Sequence, residues 1–480
     1  MIGYILLGFA IYYYFYAGMK KWSILIFMFF CNDGFWILPD YVIGAKNYDL
    51  AAIFCFFMAP FSMIYEDAPE RGNKTIKYIV VFLMYFMIVS AFFSRYHYDF
   101  TWFQIFQGGR RLIIFVSYFF IVKMKKKDIE WLFNILYKIT IITSVLYIIQ
   151  VLTDLPVLPK SAQIIYESGL NRYYNCPPLI YLFLYVSIFH PTLLKIKHQN
   201  ISTIILAGAL LCTLGRIEIF SAFLMIIVGF LMRGRLTNFL KYVLILAIAM
   251  IPVLDTITSR LGGDDTSDLS TGNEIAEIFN GSIQETVNSG KYRGQGTLNY
   301  RLAWVYERML YLNTRPIGEK IFGFGLINDG QTEIVQRMYN FRIARPFDLS
   351  RKEMAQLETP DISYGNMLTR FGYVGGLALF ILWVYIAIYG WKKRKDDEWM
   401  FILFLLVTGY IIRSFSGDVI SNPKYLSMLY LIITLSLFRQ AEKEQSGVNV
   451  DIEKPKSSEA ENTGTTLETE VSIADENHSH

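Results

Sequence analysis

The chain has 480 residues, 54% of them hydrophobic and 16% aromatic, with a formal net charge of only +4. That balance excludes the soluble basic face a nucleic-acid partner needs, and none is expected. Five histidines are scattered, and the cysteines (Cys31, Cys55, Cys176 and Cys212) have no CxxC spacing, so no metal site or other cofactor is expected. The cysteines lie in or at the ends of apolar blocks and read as packing residues.

In chain order the apolar blocks fall at 2–18, 22–38, 48–65, 78–94, 103–122, 130–152, 177–194, 201–215, 217–232, 237–258, 362–390, 398–416 and 423–438. A helix crosses a bilayer with roughly 20 mostly apolar residues, so the reading is an all-α integral membrane protein with about thirteen crossings. The first block lacks a basic n-region and a cleavage site, so it reads as a retained span rather than a signal peptide. Every second loop is basic. Lys20 and Lys21, then Arg71, Lys74 and Lys77, then Lys123 and Lys125 to Lys127, then Lys195 and Lys197 mark the first four. Arg233, Arg235 and Lys241, then Lys392 to Lys395, mark the last two. This alternation puts the basic loops in the cytoplasm, the N-terminus outside and the C-terminus inside. It also requires 201–232 to cross twice, turning outside near Gly215 and Arg216.

The loop at 259–361 then lies outside, and its length demands structure of its own. Within it, Leu298, Leu302, Val305, Met309 and Leu312 predict a helix, and Gly323, Phe324 and Gly325 a turn. The organisation is a multi-pass domain over 1–440 with that loop inserted, followed at 441–480 by a Glu-, Ser- and Thr-rich tail expected to be a disordered cytoplasmic extension.

Inside loops use mostly lysine, whereas the outer side uses mostly arginine. Lysine there serves topology; arginine offers a rigid fork of donors suited to phosphate. Arg110 and Arg111 lie within an apolar block, Arg216 between two, Arg370 inside the eleventh and Arg413 near the outer end of the twelfth. Charge at membrane depth costs about 2.5–3.5 kcal/mol or more, so these groups are expected to be paired or to line a polar cavity. Snorkelling to headgroups is the alternative, strongest for Arg413. Arg301 and Arg308 share a helix face beside Trp304, which also fits a solvated amphipathic helix. Asp361, ahead of Tyr364, Asn366 and Arg370, reads either as an N-cap or as a carboxylate that accepts a proton. Asp33 is expected to pair with an arginine.

Four pieces resemble the O-antigen polymerase and ligase superfamily, in that family's order. Leu214-Gly215-Arg216 is similar to its Gly-Ser-Arg turn, and Arg301 to Trp304 to its Arg-x-x-Trp segment. The run Ile321-Phe322-Gly323-Phe324-Gly325 resembles its Leu-Gly-x-Gly element, and Asp361 to Gly375 its re-entering segment. The resemblance implies a GT-C-like, metal-independent membrane glycosyltransferase in the bacterial cytoplasmic membrane. Its donor and acceptor would be oligosaccharides on polyprenyl diphosphate, with a chain-length regulator as a further partner. In that reading Arg216, Arg301 and Asp361 are catalytic. Arg110, Arg111, Arg308, Tyr364, Asn366, Arg370 and Arg413 bind substrate. Ligases of this family carry a histidine where Asp361 stands, which favours a repeat-unit polymerase over a ligase; a flippase for the same lipid is the rival outside the enzymes.

Overall fold

The computed structural model describes residues 2–16, 19–66, 72–159, 164–165, 172–173, 177–234, 240, 243–244, 282–289, 298–348 and 353–452. Its helices are α1 (Ile2–Phe15), α2 (Lys20–Cys31), α3 (Asp40–Ile43), α4 (Asn47–Tyr65), α5 (Lys74–His97), α6 (Trp102–Gly109), α7 (Tyr118–Ile121), α8 (Lys126–Thr153), α9 (Ile180–Phe189), α10 (Gln199–Leu211) and α11 (Arg216–Arg233). There follow α12 (Ser282–Ser289), α13 (Leu298–Asn313), α14 (Ile317–Phe322), α15 (Thr332–Met338), α16 (Ser363–Lys393), α17 (Glu398–Arg413) and α18 (Lys424–Ile452). The helical expectation holds except for two antiparallel hairpins, β1 (Ile164–Ile165) with β2 (Arg172–Tyr173) and β3 (Arg345–Asp348) with β4 (Glu353–Ala355). Residues 1–439 form one compact unit and 440–480 a second. The second, expected to be disordered from 441, is helical as far as Ile452; 453–480 lie outside the described residues.

Among the described residues, four helices are long and apolar enough to cross a membrane: α4, α5, α8 and α16. The expected thirteen are not present as thirteen long helices, for local reasons. The 22–38 block ends its helix at Cys31, because Asp33, Gly34, Phe35 and Trp36 all take positive φ. The 103–122 block breaks after Gly109, where Arg110 and Arg111 turn aside, and continues through a 3-10 turn at Leu112–Ser117 into α7. In 177–194 the helix is confined between Leu179, at φ 66°, and Pro191. The 201–232 stretch does divide into two helices, α10 and α11, with Leu214 at φ 50° in the break. Most of the 237–258 block lies outside the described residues.

α16 packs on α5, α13, α14 and α17, and α17 packs in turn on α9 and α11. Trp383 and Trp399 are buried, while in the N-terminal half Phe120 meets the stacked rings of Phe27 and Phe54 edge-on. Where these helices cross a bilayer, such contacts stabilise by close packing rather than by leaving water.

One feature of α16 governs the site. The helix is broken at Gly372, with φ 61° and ψ −160°, a conformation close to glycine-only. The turn predicted at 323–325 is present, with Gly323 at φ 74° and Gly325 at φ 86°. Here the two backbones cross: a Cβ on Gly372 would lie 2.5 Å from Gly323 N, and one on Gly323 would lie 2.5 Å from Thr369 O. Phe324 N donates to Thr369 O at 2.8 Å across the same junction. On the other side of the loop, a Cβ on Gly108 of α6 would collide with the backbone of Leu326 and Ile327. The loop is thus held between α6 and α16 by backbone contacts that only glycine permits.

Candidate functional site

The break at Gly372 leaves a short helical stub, Ser363 to Phe371, that carries Arg370 toward α6. Arg370 is buried; its Nη1 donates to Gly108 O at 2.7 Å and its Nη2 pairs with Glu358 Oε1. Arg111 reaches the other oxygen of the same carboxylate, with Nη1 3.6 Å from Glu358 Oε2, and its guanidinium lies over the Tyr48 ring at 4.5 Å. Two arginines from opposite ends of the sequence therefore share one carboxylate. Their exposure differs: the Arg111 side chain is 40% exposed and that of Arg370 8%, so the fork opens to its surroundings through Arg111. Arg110 is committed elsewhere, to Asp49 Oδ2 at 2.9 Å and to the Tyr48 hydroxyl at 3.2 Å.

Backbone clamps hold Glu358 in place. The buried carboxylate of Asp329 accepts from three successive amides, Gln356 N at 3.0 Å, Leu357 N at 3.2 Å and Glu358 N at 2.8 Å. Burial, and then the charge of Glu358, push the Asp329 carboxyl up to about 6, against the pull of those amides. On the far side of Glu358, the amide of Asn366 takes both backbone groups of Thr359, accepting from its N at 2.9 Å and donating to its O at 2.7 Å. Asn366 also donates to Asp418 Oδ1 at 2.9 Å. Burial raises the Asp418 carboxyl above the usual carboxylate range, and Asn366 draws it back. The 414–421 turn is tied to the start of α16 through Ser363, whose hydroxyl donates to Gly417 O at 2.8 Å and accepts from Val419 N at 2.7 Å.

The remaining arginines divide. Arg413 ends α17 over the Tyr181 ring at 4.2 Å, with Nη2 3.9 Å from Glu218 in the first turn of α11. Arg216 opens α11 beside it in sequence, after Gly215; its side chain lies outside the described residues. The predicted helix at 298–312 is α13, and its Trp304 packs where Gly365 of α16 leaves room, since a Cβ there would lie 2.8 Å from the indole. Half-buried Arg301 is carried on the turn before Trp304. Arg308 is different. It is fully buried between Trp304 at 3.5 Å and Phe341 at 4.1 Å, pairs with Glu307 at 2.8 Å and donates to Gln356 O at 2.9 Å. Burial, only partly offset by Glu307, lowers its pKa to about 10. The helix face expected to be a solvated basic side is therefore not solvated at Arg308, which is a core residue of the loop.

Other sequence readings are also corrected. The N-cap of α16 is Ile362, not Asp361, whose carboxylate accepts instead from the Thr359 hydroxyl at 3.2 Å. The Tyr364 hydroxyl donates to Ile411 O at 3.2 Å, and its ring packs on Phe415, so its polar atom is engaged within the chain like those of Asn366. Asp33 pairs with Lys424 at 2.9 Å. Sequence reasoning missed Glu358, Asp418, Asp329, Tyr48 and Asp49. For three of them the signal was available: arginines inside apolar blocks need carboxylates, and Asp49, Glu358 and Asp418 lie at block ends. Comparison with protein-family models and with curated proteins finds no match for this chain.

Proposed function

We propose that the protein is a membrane polymerase of polyprenyl-diphosphate-linked oligosaccharide repeat units, working on the outer side of the bacterial cytoplasmic membrane to build a surface polysaccharide. In this reading the lipid diphosphate of the donor chain is the leaving group. A hydroxyl of a second lipid-linked unit attacks the anomeric carbon, the bond to the diphosphate oxygen breaks, and the proton passes to a base or to solvent. The work of the site is to hold the departing charge, which a rigid guanidinium fork does well.

The single observation that carries the reading is the Arg111–Glu358–Arg370 arrangement, two guanidiniums aimed at one anion beside the ends of long apolar helices. The order of the four family-like segments supports it. So do the exposed Phe56, Phe57, Tyr85, Ile88, Leu377 and Ile381 on those helices, which suit a lipid-facing surface. Asp361, half-buried at the start of the stub that carries Arg370, is the carboxylate assigned to orient the acceptor hydroxyl.

The test uses purified protein in nanodiscs with lipid-linked repeat unit as sole substrate and no metal or nucleotide sugar. Wild type is expected to give a ladder of lengthening glycans on a gel, and Arg111→Ala and Arg301→Ala to lose it at unchanged melting temperature. No ladder from folded wild type would overturn the reading in favour of a ligase lacking its acceptor or a flippase.

A further inference from the structure

We propose that Glu358 is a built-in stand-in for the diphosphate: its carboxylate fills the Arg111–Arg370 fork until the anionic ligand displaces it, and refills the fork to expel the spent lipid diphosphate. This deepens the polymerase reading and rests on it.

Three observations carry the inference. The first is the sharing itself, since Glu358 offers one oxygen to each arginine, as a bridging phosphate would. The second is the contrast between backbone and side chain. Glu358 N is bound by Asp329, and the next residue is gripped on both backbone groups by Asn366, so the chain at 358 is fixed. The side chain is 23% exposed and has three rotatable bonds, so it swings from a fixed root. The third is charge. Asp329 and Asp418 both lie close enough to feel the Glu358 charge, so the carboxylate is surrounded by acids as well as by the two arginines. Like charges at this range act on whichever anion fills the fork, so neither Glu358 nor the spent diphosphate is held irreversibly.

Arg370 donates to Gly108 O as well as to Glu358, so its guanidinium keeps its aim when the carboxylate leaves. Arg111 remains stacked on Tyr48. The fork is therefore preorganised in both states, and the exchange costs little beyond the swing of one side chain. Glu358 is a positioning residue in this account: it acts through the arginines and forms no bond to the sugar.

The test measures binding of polyprenyl diphosphate to the full-length protein in nanodiscs, alongside single-turnover and steady-state transfer from lipid-linked repeat unit. Glu358→Gln removes the charge and keeps the shape. It is expected to tighten binding on the order of tenfold, the scale of one lost competing ion pair. It is also expected to lower the ratio of steady-state to first-turnover rate, because product leaves less readily. Glu358→Asp keeps the charge on a shorter stem and is expected to fall between wild type and Glu358→Gln; melting temperatures confirm that each variant folds. Equal affinity in wild type and Glu358→Gln, with binding lost in Arg111→Ala, would overturn the stand-in and leave the lipid-diphosphate site standing. Weaker binding in a folded Glu358→Gln would make the carboxylate a simple brace for the arginines and likewise overturn it. If neither folded wild type nor Glu358→Gln binds polyprenyl diphosphate, the polymerase reading falls and the stand-in with it.

Discussion

Replacing Gly372 with alanine is expected to destabilise the protein far more than the same change four residues later at Gly376. Gly372 has φ 61° and ψ −160°, and a Cβ there would lie 2.5 Å from Gly323 N and Ile321 O and 2.6 Å from Lys320 O. A non-glycine residue held in such a conformation costs about 1–3 kcal/mol. The clash is with backbone on the opposing strand of chain, which cannot swing away as a side chain does, and overpacking adds roughly 1–3 kcal/mol. Together these predict a loss of about 2–6 kcal/mol, or a fall in melting temperature on the order of 2–6 °C for a chain of this length. At Gly376 the nearest atom to a new Cβ is Met367 O at 3.4 Å, an ordinary contact. There the gain in helix propensity, up to about 1 kcal/mol, makes alanine neutral or stabilising. The assay is thermal unfolding of both variants in the same detergent, followed by tryptophan fluorescence. A Gly372→Ala protein that melts within a degree of wild type would refute the backbone crossing.

Three further outcomes are expected. The Asp329 carboxyl titrates at about 6 in the fold against an ordinary 3.8, so the folded chain holds this proton more tightly; that stabilisation is full below the ordinary value and is lost as pH rises through about 6. The melting-temperature difference between wild type and Asp329→Asn should therefore shrink with rising pH across that window, and a flat difference would count against it. Arg308→Ala leaves Glu307 held only by the Arg342 and Ile343 amides and opens a cavity beside Trp304 and Phe341; it should cost about 2–4 kcal/mol, seen as lost folded yield rather than as a selective loss of ligand binding. In intact cells an impermeant maleimide should label Glu333→Cys, on an exposed helix of the 259–361 segment, and spare Lys395→Cys in the last basic loop; the reverse pattern would invert the topology.

Much of the helical content was legible in the sequence because apolar blocks of membrane-crossing length admit few alternatives. The helix at 298–313 and the turn at 323–325 were read from spacing and glycines alone, since both are local properties. Helix lengths were not legible. Whether 103–122 runs as one helix depends on where Arg110 and Arg111 find partners, and these come from Asp49 and Glu358, far away in the chain. The same limit applied to the site. Residue type picked out Arg111 and Arg370, but could not separate them from Arg308, which shares their chemistry and is distinguished only by the aromatic rings packed around it. Asn366 looked like a sugar contact for the same reason; its amide proves to be occupied in both directions by Thr359.

The threading of residues 323–327 between Gly108 and Gly372 also has a bearing on the order in which the chain is made. As the polypeptide emerges N-terminus first, the loop is complete before its last anchor exists, and it has only α5, α6 and the turn between them to rest against. Until the stub bearing Arg370 is synthesised and crosses Gly323, Glu358 has one guanidinium rather than two. A truncated or half-inserted chain therefore lacks the paired fork, which arises as one late event that certifies the C-terminal helices are in place.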